Sequence, residues 1–277
     1  MSLRRLGALA ALLVLAGCSA DQSAAPTTTE ALPPPDPLRI IFPEGFTREQ
    51  MAERITAVDE IARKKRHVNP RLTAKRYLAL TRRSPLPGRF AGDGRSRQLE
   101  GFLFPALYEF LPKTTTKQLV EKQLAAFEDA WSQVDLAYAK SKNLTQYDVL
   151  IIASMIEKEA AVGSERRLVA AVIYNRLKIG LPLGIDATIR YGLRVPATES
   201  LRESQLASDN PYNTRTRAGL PPTPIANPGL ASMKAAANPA RRDYLYFLRK
   251  PNSLRHFFTA SEDEFFRKRC EYGYPCG

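Results

Sequence analysis

Histidine is almost absent from this chain. His67 and His256 are the only two, and neither lies near other metal-ligating side chains, so no metal centre is expected. Cysteine is nearly as scarce, at three residues. There is no zinc-ligand spacing, no helix-turn-helix pattern and no aromatic-rich single-strand module, so nucleic acid is not an expected partner. No internal repeat is present, which excludes a repeat architecture. The apolar run from Leu6 to Ala16 falls short of the roughly 20 residues that span a bilayer comfortably. Acidic residues are in deficit, 28 against 41 Lys and Arg, giving a net charge of +13 and a pI near 9.8. With nucleic acid set aside, a basic surface suits an anionic membrane face or an anionic polymer.

Apolar residues make up 44% of the 277, enough for a core in one large or two modest domains. The first 18 residues, MSLRRLGALAALLVLAGC, have a basic start and an apolar stretch of secretory length. They end in Leu15-Ala16-Gly17-Cys18, which resembles a bacterial lipobox. On that reading Cys18 is acylated, becomes the first mature residue and anchors the chain to a membrane, facing outward. Loss of Arg4 and Arg5 with the leader lowers the charge to about +11. The alternative is an ordinary signal peptide with an incidental cysteine. Cys270 and Cys276 form an even pair near the end, and outside the cytoplasm such a pair favours a disulfide.

Residues 19–37 are rich in Pro, Ser, Thr and Ala and read as a disordered tether. Residues 38–98 read as a small basic module: a strand in LRIIFPEG, a helix with Met51, Ile55, Val58 and Ile61 at helical spacing, then a second short helix. Residues 99–269 read as a larger mixed domain and 270–277 as a tail, so the fold class expected is α+β. Within it, TTKQLVEKQLAAFEDAWSQV is an amphipathic helix that places Trp131 in the core. LPLGIDATIRYGL reads as irregular. Asn227 is placed to cap the helix in ASMKAAANP. DYLYFLRK and RHFFTA form a hairpin, and Ser261 opens a last helix.

The helix in YDVLIIASMIEKEAAVGSE is apolar almost throughout, yet carries Glu157 and Glu159. Burying an ionised carboxylate costs several kcal/mol unless it is paired or neutralised. At 100° per residue Glu157 shares a face with Leu150, Ala153, Ser154, Ala160 and Ala161, and Glu159 points almost oppositely. They are not a dyad. Desolvation raises a carboxyl pKa, and a protonated carboxyl can act as a general acid. Glu157 is the candidate for that role, with a buried structural ion pair as the competing account. Glu159 is expected to pair with Arg166 or Arg167, or to reach solvent.

The segments EGFLFPALYEF, ASMIEKEAA, AAVIYNRLKIGLPLGIDATIRYG, PYNTRTRAGLPPTPIANPGLASMKAAANPA and YLYFL occur in this order. Together they resemble the YceG-like endolytic murein transglycosylases (MltG), over roughly residues 38–268. IFPEGFT resembles the start of the LysM-like module that precedes their catalytic domain. The resemblance implies cleavage of the MurNAc–GlcNAc bond within peptidoglycan strands, leaving 1,6-anhydro ends, with no cofactor. It assigns the acid to the first Glu of EKE, here Glu157. It implies substrate contacts at Asp186, Thr188, Tyr212, Asn213 and Thr214, with Asn175 either orienting the site or holding its helix, and Asn227 a cap before a contact. It further implies work beside the wall-elongation proteins. Gly184, Ala187 and Arg215 depart from the family pattern at residues expected near substrate. Two other readings stand: a hydrolytic muramidase, for which Asp186 is the candidate second carboxylate, and a non-catalytic or weakly active glycan-binding scaffold lipoprotein.

Overall fold

The first strand shows the alternate burial of a half-buried strand. In the computed structural model, which describes residues 36–93 and 96–275, β1 (Leu38–Ile41) turns Leu38 and Ile40 inward and Arg39 and Ile41 outward. Its partner is remote in sequence. After α1 (Arg48–Arg66), α2 (Ala74–Arg82) and the short pair β2 (Ser84–Pro85) and β3 (Ser96–Arg97), the chain returns as β4 (Leu107–Phe110), antiparallel to β1. Leu38 opposes Phe110 and Ile41 opposes Leu107. The sheet of the N-terminal strand-and-helix segment is therefore completed by residues beyond 98.

Local signals start the helices. Thr47, Thr115 and Thr145 each form a capping box, with Gln50, Gln118 and Asp148, ahead of α1, α3 (Thr116–Ser132) and, after α4 (Ala137–Ser141), α5 (Gln146–Glu159). The run Val149–Ile156 of α5 is buried on every side, as an all-apolar helix must be. It packs against α6 (Arg166–Ile179), α7 (Asp186–Leu193) and, past α8 (Glu203–Leu206), α9 (Leu230–Ala237). Trp131 is buried in an aromatic cluster with Phe90, Phe102 and Phe127. The hairpin β5 (Tyr246–Arg249) and β6 (His256–Thr259) follows, then α10 (Glu262–Glu271), capped by Ser261. All described residues belong to one compact α+β unit with a continuous apolar core.

Two sequence expectations fail here. The stretch read as irregular contains α7, whose Ile189 is fully buried and draws the segment into helix. Asn227 does not cap α9; Gly229 occupies that position. The Asn227 amide is spent elsewhere: its oxygen accepts from the N–H groups of Gly101 and Leu103, and its nitrogen donates to the Phe46 carbonyl and to Glu100. The leader, Cys18 and the tether up to residue 35, together with Cys276, lie outside the described residues. Cys270 is disulfide-bonded.

Candidate active site

Glu157 stands in the last turn of α5, where the helix leaves the core. Its side chain is 6% exposed. Oε2 accepts the backbone N–H of Gly229 at 2.9 Å, and Oε1 lies 3.7 Å from Arg166 Nη2. An N–H and a guanidinium together compensate its charge when it is ionised. Arg166 is the first residue of α6 and donates from Nε to Ser232 Oγ of α9 at 3.1 Å. Just before it, buried Glu165 accepts the His256 backbone N–H and lies 2.8 Å from His256 Nδ1, which ties β6 to the start of α6. Arg166 Nη2 is also 3.9 Å from Glu44, on the turn after β1.

Gly229 and Gly45 border this arrangement. Gly229 has an ordinary negative φ, so conformation does not require glycine there; a Cβ would overlap the Glu44 carboxylate where it now lies and displace it. Gly45 has φ +77°, which favours glycine, and its Cβ would lie 3.5 Å from Glu157 Cγ. Ser154 holds the preceding loop down, accepting the Ile225 N–H at 3.0 Å.

Glu159 faces away, as its helical position requires. It does not pair with Arg166 or Arg167. Arg166 serves Glu157, and Arg167 donates to the carbonyls of Asn238 and Pro239. Glu159 instead accepts the Ala187 N–H in the first turn of α7. Burial, then the charge of Asp186, pushes its carboxyl up to about 7.

The remaining candidates fall into two groups. Thr188 and Thr214 are buried, 2.9 Å apart through their hydroxyls, and Thr214 also accepts the Ile185 N–H. Asn213 is buried with its amide on the carbonyls of Leu206 and Ser208. Asn175 donates to the carbonyls of Arg242 and Tyr244, fastening α6 to the start of the hairpin. These four hold loops in place. Asp186 and Tyr212 are half-buried. Asp186 is paired with Arg215 at 2.7 Å, and the Tyr212 hydroxyl is 2.8 Å from Thr223 Oγ1. Sequence reasoning missed Glu44 and Arg166 as neighbours of Glu157, since nothing local marks a turn residue 113 positions upstream as part of the site.

A carboxylate at the end of a buried helix, received by the start of a second helix and the first residue of a third, defines this α+β protein. The model of the YceG-like family matches residues 19–270, and the chain belongs to that family. It is 30% identical over 250 residues to the endolytic murein transglycosylase of Streptococcus pneumoniae (strain ATCC BAA-255 / R6), covering 84% of this chain and 44% of that protein. It is 33% identical over 218 residues to the endolytic murein transglycosylase of Bacillus subtilis (strain 168), covering 77% and 59%. The chain thus spans about half the length of these curated relatives. A crystal structure of a yceG-like protein from Listeria monocytogenes matches with a TM-score of 0.65 at 26% identity, over 84% of this chain and 76% of that one.

Proposed function

We propose that the chain is an endolytic lytic transglycosylase of peptidoglycan, with Glu157 as its single acid and base. The observation that carries this is the setting of Glu157: an enclosed carboxyl at the end of an apolar helix, with an N–H and a guanidinium ready for its ionised state. The relatives' activity supports the same reading. Glu157 protonates the oxygen between MurNAc and GlcNAc, and the C1–O bond breaks. The carboxylate then takes the proton from the MurNAc C6 hydroxyl as that oxygen bonds to C1. The nucleophile belongs to the sugar itself, so no water has to be positioned.

Asp186 and Tyr212 are the contacts open to sugar, and Asn175, Thr188, Asn213 and Thr214 keep the surrounding loops in register. Residues 38–98 serve as the LysM-like glycan-binding module. An acylated Cys18 holds the protein on the outer face of the membrane, beside the wall-elongation proteins. The basic charge suits both anionic lipid and wall polymer.

Hydrolysis is the second reading, because Glu44 supplies a carboxylate near Glu157. The mass of the products from purified glycan strands decides between them, with wild type and Glu157→Gln run side by side. Anhydro-ended fragments, lighter by one water and made by wild type alone, are expected. Reducing ends would establish a muramidase. Binding without cleavage by a folded wild type would establish the scaffold.

A further inference from the structure

Glu44 belongs to the turn Pro43-Glu44-Gly45, and its carboxylate shares a cation with Glu157. Arg166 Nη2 lies 3.9 Å from Glu44 and 3.7 Å from Glu157, while its Nε is fixed on Ser232. The two carboxylates differ in exposure: the Glu44 side chain is 49% exposed and that of Glu157 is 6%. The turn is held at both sides of Glu44's neighbour. The Gly45 N–H donates to the Asn227 carbonyl at 2.9 Å, and Lys158 Nζ donates to the Gly45 carbonyl at 3.2 Å. Gly229 lacks the one atom that would push the Glu44 carboxylate away.

We propose that Glu44 is a positioning residue for the acid–base cycle of Glu157, and that Arg166 is a counter-ion the two carboxylates share. This rests on the assignment of Glu157 given above. While Glu157 carries its proton, Arg166 neutralises Glu44. When that proton passes to the leaving oxygen, the new carboxylate finds the guanidinium already within reach, with nothing to rebuild. When the C6 hydroxyl proton arrives, Glu157 is neutral again and Arg166 returns to Glu44. No proton is gained or lost over the cycle.

The charged groups around Glu157 fit this account. Glu44 faces it from the β1–α1 turn and Arg166 from α6; Lys158 directs its ammonium to the Gly45 carbonyl; Glu159 lies on the far side of α5. α9 offers the neutral groups of Gly229 and Ser232. The Glu44 carboxyl is raised above its ordinary range, by burial first and by the charge of Glu157 second, against the opposing pull of Arg166.

The test is the pH–rate profile of the full chain on purified glycan strands, for wild type, Glu44→Gln, Glu44→Asp and Glu157→Gln. Without the Glu44 charge, Arg166 is left to Glu157 alone and the proton is released more readily. The alkaline limb in Glu44→Gln should move to lower pH by about one unit, with up to about tenfold loss above it and recovery below. Glu44→Asp, which keeps the charge, should stay closer to wild type. Melting temperature and glycan binding verify that each variant is folded. An unmoved limb in a folded Glu44→Gln, or a uniform loss at every pH, would overturn the shared counter-ion and leave the Glu157 assignment standing. Turnover by Glu157→Gln would overturn that assignment itself.

Discussion

Glu157 and Glu159 stand two residues apart at the end of α5, and each receives a backbone N–H from the start of a different helix. Gly229, ahead of α9, donates to Glu157, and Ala187, in the first turn of α7, donates to Glu159. Helix starts carry unpaired N–H groups and partial positive charge, so both are natural partners for a carboxylate. One helix end thus anchors two others on opposite sides, and Arg166 lies against Glu157.

The Glu159 carboxyl gives a pH dependence of stability. Its ordinary value is 4.5, and the fold pushes it up to about 7. The folded chain binds this proton more tightly than the unfolded one. The contribution is therefore complete at pH below 4.5 and is lost as pH rises towards 7. Tm should decline across that window, and Glu159→Gln should flatten the decline, with a gain on the order of 1–2 kcal/mol above pH 7. Equal slopes for the two proteins in thermal melts from acid to neutral pH would contradict this.

Asn227 is costly to remove, because its amide makes four hydrogen bonds. Asn227→Ala strands the N–H groups of Gly101 and Leu103 and takes a donor from buried Glu100. We expect a loss on the order of 3 kcal/mol or more, read from urea unfolding. Asn227→Asp should fare no better, because it sets a second carboxylate against Glu100. A loss under about 1 kcal/mol in either would show that the loops find other partners.

A fragment beginning at residue 99 should not fold cooperatively. It would leave β4 without β1, Asn227 without Phe46, and Gln123 without Tyr77, whose hydroxyl it accepts at 2.8 Å. The checks are circular dichroism melting and backbone amide spectra. A sharp transition in the fragment would show that residues 38–98 are dispensable to the rest.

The Asp186–Arg215 pair should matter to substrate more than to stability. Its side chains are 46% and 42% exposed, and such pairs contribute about 1 kcal/mol or less. Arg215→Ala should leave Tm nearly unchanged and alter KM for glycan strands while kcat holds. A fall in kcat at constant KM would place the pair in the chemistry instead.

The polarity around α5 is legible in the amino-acid sequence. A carboxylate amid Leu, Ile, Val and Ala needs a partner, and helical geometry alone separates Glu157 from Glu159. Capping boxes at Thr47, Thr115 and Thr145 and the terminal hairpin are local patterns, so they too can be read. The partners themselves cannot. Arg166 is a natural candidate to pair with Glu159, yet it serves Glu157, because the direction of α6 after the turn at 160–165 depends on packing. Asn227 carries every local mark of a cap, and tertiary hydrogen bonds claim its amide first.

The order of residues dictates most of the helices and strands, the burial of α5, and the setting apart of Glu157 on its small-residue face. Periodicity and capping act over a few residues, so a linear reading captures them. Packing across the whole chain decides that β1 pairs with β4, that the Glu44 carboxylate lies over Gly229, and that Glu44, Arg166 and Glu157 converge. Apart from Arg166 and Glu157, which are near in sequence, those relationships join residues tens to over a hundred positions apart, and close packing rather than local preference brings them together.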